Sequence, residues 1–145
     1  MIAVDTNLLV HAHREDSEFH STALPVLLDL AERGDRWCIP WPCLHEFLAL
    51  TTHPRIYDPP TPIPRAFETL EVWLNSPACE MIGEETGYFE ELRDLSIGGK
   101  IAGPAVHDAR VAAICIHHGV SVLWTADRDF SRFGSLKTYN PIAAS

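Results

Sequence analysis

Met1-Ile2-Ala3-Val4-Asp5-Thr6-Asn7 opens the chain, and its reading decides the fold. Ile2, Ala3 and Val4 form a short unbroken apolar run, as a strand buried on both faces requires, and the run stops at a carboxylate followed by a hydroxyl and an amide. Asp5 therefore stands at the C-terminal end of a strand. In open parallel α/β sheets that edge carries the ligand crevice, which suits Asp5 to hold a cation. It equally suits Asp5 to cap the helix after it, and the stretch alone leaves both readings open.

Outward from there, a polar stretch over residues 11–21 leads into 23–33, where Leu24, Leu27, Leu28 and Ala31 recur at helical spacing and Gly34 acts as a stop. Trp37-Cys38-Ile39 reads as a second strand closed by Pro40. Pro42 suits the first turn of a helix running to about Thr52, with Leu44, Phe47, Leu48 and Thr51 on one face. Five prolines in 54–64 exclude helix and central strand, predicting an extended, stiff surface loop. Pro64 opens a helix with Phe67, Leu70, Trp73 and Leu74 inward, ending near Ser76-Pro77. Glu80-Met81-Ile82 reads as a third strand, and 86–95 as a helix with Phe89 and Leu92 inward. Gly98, Gly99 and Gly103 break the chain before a strong helix over 105–117 that Gly119 ends; 120–124 is a fourth buried strand, and Lys137-Thr138-Tyr139 a last one.

Strands alternating with helices predict right-handed crossovers and a mostly parallel, doubly wound α/β sheet, so every strand C-terminus opens onto one edge. A chain of 145 residues fits one domain, 1–145, since neither side of the proline-rich loop is long enough to stand comfortably alone. No apolar run approaches the roughly 20 residues that cross a bilayer, and no leader-like amino terminus is present, so the chain reads as cytoplasmic with no membrane partner. Cys38, Cys43, Cys79 and Cys115 lack paired C-x-x-C spacing and read as reduced, mostly buried thiols. Trp37, Trp41 and Trp73 fit either core packing or an interface.

The formal charge of −9 argues at first against nucleic acid. Setting aside Asp5, Glu46, Asp108, Asp127 and Asp129 leaves 15 acids against 11 basic residues, or −4 elsewhere, and divalent ions would offset the rest. Glu46 lies in the first turn or so of the helix after strand two, on the same edge as Asp5. Asp108 begins a run, Asp108-Ala109-Arg110-Val111-Ala112-Ala113-Ile114-Cys115-Ile116, that is apolar on nearly every side; a carboxylate buried there needs a partner that helix amides only partly supply. Asp127 and Asp129, in Thr125-Ala126-Asp127-Arg128-Asp129-Phe130, come after strand four as Asp5 comes after strand one. Singly, these acids are a cap, a solvated glutamate and an Asx turn. Together, on one edge, they form a self-repelling set of hard oxygen ligands that suits magnesium or manganese, one or two ions, and the hydrolysis of a phosphodiester.

Val4-Asp5-Thr6-Asn7, Leu44-His45-Glu46-Phe47, His107-Asp108-Ala109-Arg110 and Thr125-Ala126-Asp127-Arg128-Asp129-Phe130, in that order, resemble the acidic motifs of PIN-domain ribonucleases, and size and motif order look most like the VapC toxins of VapBC toxin–antitoxin modules. The resemblance spans essentially the whole chain. It implies a three-layer α/β/α sandwich with strand order 3-2-1-4-5, metal-dependent endoribonuclease activity, a homodimer and a cognate VapB-type antitoxin. Asp5, Glu46, Asp108 and Asp127 match the catalytic, metal-binding acids, with Thr6, Asn7, Thr125 and Asp129 in support.

Arg14, Arg55, Arg110 and Arg128 are candidate phosphate contacts on the RNA, against the simpler reading as ion pairs; His11, His13 and His107 are reachable by substrate without marking a base. Two other classes fit less well. A phosphoacceptor receiver needs an acid where strand three ends in Ile82-Gly83, and a D-x-D phosphatase needs one where Asn7 stands. The remaining alternative is a catalytically silent RNA- or protein-binding module on the same fold.

Overall fold

The computed structural model describes residues 1–143. Five strands, β1 (Ile2–Val4), β2 (Trp37–Pro40), β3 (Cys79–Ile82), β4 (Val122–Trp124) and β5 (Thr138–Tyr139), form one sheet ordered β3-β2-β1-β4-β5. Every pairing is parallel, with Ala3 beside Cys38 on one side and Leu123 on the other. This is the predicted order. Among the described residues six α-helices cover the sheet: α1 (Thr6–His13), α2 (His20–Glu32), α3 (Trp41–Thr51), α4 (Ile63–Leu74), α5 (Tyr88–Gly98) and α6 (Ala105–His117). Among the described residues no helix is long and apolar enough to cross a membrane.

β1 is central and its Ala3 and Val4 are buried, as the unbroken apolar run requires. The segment after β1 is more helical than its polarity suggests. The chain turns directly into α1, whose Leu8, Leu9, Val10 and Ala12 are buried, so residues 11–13 are helical and α2 starts at His20. Gly34, at φ +85°, stands just past the end of α2, a conformation that a side chain would strain.

Two helices face otherwise than expected. In α4 the buried residues are Ala66, Leu70 and Trp73, and Phe67 is 47% exposed. The small Ala66 sits at the contact and rotates the buried stripe by one residue. α5 packs chiefly on α6 and fully buries nothing; Phe89 is 67% exposed. The proline-rich loop is neither extended nor free. It folds through turns, and Arg14 at the end of α1 donates to Pro59 O (3.0 Å) and Thr61 Oγ1 (3.2 Å) with its guanidinium over the Tyr57 ring. Thr61 is buried, and His13 bonds to its hydroxyl.

Trp37 and Trp73 are core residues, whereas Trp41 is largely exposed. Cys38, Cys43 and Cys115 are buried free thiols and Cys79 is partly so. Burial pushes the Cys38 and Cys79 thiols up to about 12, and raises the other two well above the ordinary thiol value.

Candidate active site

The parallel order brings the ends of β1 and β4 together, and the side chains there interlock. Asp5, 6% exposed, accepts four hydrogen bonds: from Thr6 N (2.8 Å) and Cys43 Sγ (3.4 Å) on Oδ1, and from Thr125 Oγ1 (2.8 Å) and Asn7 Nδ2 (3.1 Å) on Oδ2. Asn7 also bridges the two strand ends, donating to Thr125 Oγ1 (3.1 Å) while its own oxygen accepts from Ala126 N (3.0 Å). Asp127 N closes the ring on Thr125 Oγ1 (3.0 Å). Asp5 therefore caps α1 and at the same time lines the cleft at this edge. Among the described residues no buried side-chain polar atom lacks a partner.

The remaining acids come to this point from helices. Glu46 is in the second turn of α3, not the first; because helical side chains lean toward the N-terminus, it still reaches back, and Thr6 Oγ1 lies 3.4 Å from its Oε2. Asp108, in the first turn of α6, is only half-buried, less than its apolar neighbours imply. Its side chain lines the cleft at the helix end. Carboxylate oxygens of Asp108, Asp127 and Asp129 lie within 4.8 Å of one another. Asp5, Glu46, Asp108 and Asp127 line a cleft of about 230 Å³, with Pro42 and His107 also in its wall. Asp129 is exposed beside it, paired with Arg132 at 3.8 Å.

Asp5, Glu46 and Asp108 are all held above the usual carboxylate range, with burial the first cause in each. For Glu46 the next cause is the charge on Asp5; for Asp108 it is Asp127, then Asp5, partly relieved by Arg132. Around Asp5 the hydrogen bonds from Thr125, Thr6 and Cys43 oppose the burial. The donors of this cleft are hard carboxylate oxygens that repel one another, which is the chemistry a divalent cation relieves.

An acid whose folded pKa is raised binds its proton more tightly when folded, so its contribution to stability is complete below the ordinary carboxylate range and is lost as pH rises through the raised value. Asp108→Asn removes one such charge. In EDTA the variant is expected to melt above wild type by about 2 °C near neutral pH, the gap closing toward about pH 4. Millimolar magnesium should reverse the order, because only the intact cluster gains by binding. A gap in EDTA that does not change with pH would mean that the acids do not interact, and an order unchanged by magnesium that the cluster binds no cation.

The arginines divide. Arg110 lines the cleft, but its guanidinium is held by Glu84 (Nε to Oε1, 2.9 Å; Nη2 to Oε2, 3.3 Å). Arg14 is not part of the cleft lining and pairs with Asp16 at 2.6 Å, Arg128 is exposed on the 3₁₀ turn Arg128–Arg132, and Arg55 is exposed in the proline-rich loop. Two residues of the site carry no mark in the sequence. Cys43, which reads as a small apolar side chain, donates to Asp5, and nothing in its spacing signals that. Arg132, the cation acting on Asp108, is visible only once the turn after β4 is folded.

Comparison with known proteins agrees with this architecture. The family model described as the PIN domain matches residues 2–136. Ribonuclease VapC25 of Mycobacterium tuberculosis is 32% identical over 141 residues, covering 97% of this chain and 99% of the relative; ribonuclease VapC48 of the same species is 29% identical over 139 residues, covering 96% of each. Among solved structures, a VapBC2 complex of Rickettsia felis bound to a promoter DNA fragment superposes with a TM-score of 0.71 at 19% identity, covering 97% of this chain and 98% of that one. With the family model matching nearly end to end and full-length relatives on both counts, the chain belongs to the PIN domain family and, within it, to the VapC ribonucleases.

Proposed function

We propose that the protein is a magnesium- or manganese-dependent endoribonuclease, the toxin of a type II toxin–antitoxin pair. The observation that carries this is the meeting of Asp5, Glu46, Asp108 and Asp127, drawn from four distant segments, in one cleft at the C-terminal edge of the sheet. Relatives named as ribonucleases over the full length support it.

Asp5 and Asp108 would hold the principal cation, with Glu46 and Asp127 completing the set and Asp129 beside them; one or two ions fit the charge. A divalent ion bound there supplies positive charge to the phosphodiester and acidifies water. The protein's own part is positional. Four donors fix the Asp5 carboxylate, Thr6 steadies Glu46, and Asn7 ties β1 to β4 so that Asp127 keeps its place. Water oriented by Glu46 and Asp127 attacks phosphorus in line with the departing 3′ oxygen, leaving a 5′-phosphate and a 3′-hydroxyl. His107, in the wall of the cleft, is within reach of substrate.

The same negative cleft attracts a cationic side chain as readily as a metal. In this reading a VapB-type antitoxin silences the enzyme by laying a basic or aromatic side chain of its C-terminal segment into it. A homodimer belongs to the same reading, and Phe89 and Ile97 on α5 are exposed apolar surface that a second copy would cover.

The test is incubation of total cellular RNA with purified, antitoxin-free protein in magnesium, manganese or EDTA, with the new 5′ ends mapped. Discrete cuts bearing 5′-phosphate, present with metal and absent in EDTA, are expected. Folded protein that binds RNA equally with metal and with EDTA and never cuts would replace this reading with that of a silent binding module.

A further inference from the structure

Beside the acidic cleft lies a second depression of about 360 Å³, and Arg110 lines both. Trp41 and His45 make one part of its wall aromatic. Trp41, the first residue of α3, is 43% exposed in a chain whose Trp37 and Trp73 are buried. The indole lies over the imidazole of His45, one turn on, with centroids 6.1 Å apart and planes inclined by 28°. Gly83 leaves the indole room, since a Cβ there would come within 2.9 Å of Trp41 Cδ1. The stack shares α3 with the cluster: Pro42 lines the acidic cleft and Glu46 is the next residue after His45. Arg110 borders both depressions, its guanidinium held by Glu84.

We propose that Trp41 and His45 form a stacking subsite for one nucleobase of single-stranded RNA near the scissile phosphate, with Arg110 reaching the phosphate between. The substrate class rests on the endoribonuclease reading; the platform rests on its own geometry. Every base offers a π-face to an exposed indole, so such a contact adds affinity with little demand on sequence. Glu84 and Glu85, which also line the depression, make it unfit for a second phosphate but able to accept hydrogen bonds from base amino and imino groups. Arg110 is shared by the acidic cleft and the Trp41–His45 depression, so a strand with its scissile phosphate at the acids can lay a neighbouring base on the indole.

The experiment is fluorescence anisotropy of a fluorescein-labelled, mixed-sequence single-stranded RNA of about 12 nucleotides, in EDTA so that binding is read without cleavage. Trp41→Ala is expected to bind about tenfold more weakly and Trp41→Phe within about twofold of wild type. Unlabelled RNA should quench wild-type tryptophan emission and leave that of Trp41→Phe nearly unchanged. In a series carrying one abasic position each, one position should cost wild type what Trp41→Ala costs and cost that variant nothing more. Folded Trp41→Ala that binds like wild type overturns the proposal, and so does one that changes sedimentation mass while RNA affinity stays the same. The two readings separate cleanly. Protein that binds and is quenched but never cuts removes the nuclease and leaves the platform; protein that cuts, with Trp41→Ala at the wild-type kcat/KM, removes the platform and leaves the nuclease.

Discussion

Asp108→Asn protein is expected to fold, and to cut RNA at least about 10³-fold more slowly than wild type in magnesium. The choice of residue rests on the wiring of the cleft. Asp108 stands within 4.8 Å of two other carboxylates, and its interactions with its neighbours are electrostatic, so an amide of the same shape removes charge and little else. Asp5 is different. Its two oxygens accept four donors, and an amide would turn its NH₂ toward two of them. Asp5→Asn is therefore expected to lose roughly 2–4 kcal/mol of stability as well as activity. A dead Asp5 variant alone could mean either a lost ligand or a loosened site; a dead and stable Asp108 variant means the former. Cleavage of total RNA, scored beside melting curves of the same samples, separates them, and a folded Asp108→Asn enzyme cutting at the wild-type rate would end the metal-cluster account.

The other large effect concerns what holds α3 in place. Phe47, adjacent to Glu46 in sequence, is fully buried with its ring edge-on to Trp73 and to His13, each with centroids 5.4 Å apart. Truncation to alanine removes the whole ring from between α1 and α4. The expected loss is about 3–5 kcal/mol, a large part of the roughly 5–15 that stabilises a domain of this kind, and a fall of about 10 °C in Tm. Phe47→Leu, which keeps most of the volume, should lose well under half as much. A Phe47→Ala melt within about 2 °C of wild type would show that packing on this ring does not secure the helix that carries Glu46.

The sheet was legible because its evidence is local. An unbroken apolar run ended by an acid marks a buried strand and its C-terminal edge at once, and Asp5 stands where that pattern put it, while Asp127 follows the half-buried β4 after Thr125 and Ala126. Helical period identified α4 and α5, but period alone does not fix which residue sits at the middle of the buried stripe. That depends on the partner. Phe67 and Phe89 are exposed because Ala66 centres one contact and α6 is the main surface facing the other helix. The partners of the arginines were hidden for a related reason. Arg110 belongs to Glu84, 26 positions away, and Arg14 to Pro59 and Thr61 in the proline-rich loop, pairings with no periodicity to betray them. The role of Cys43 was hidden likewise, since a thiol reads as apolar until a carboxylate is placed against it.

Thr125 donates to Asp5 across 120 positions of sequence, and Asp127 depends on that same hydroxyl. During translation, then, Asp5, Glu46 and Asp108 are all made before Thr125 and Asp127, which complete the network around Asp5. A ribosome adding roughly 5–20 residues per second therefore makes three of the four cleft acids before the fourth. On the nuclease reading, a chain cut short before Thr125 lacks a complete cutting centre.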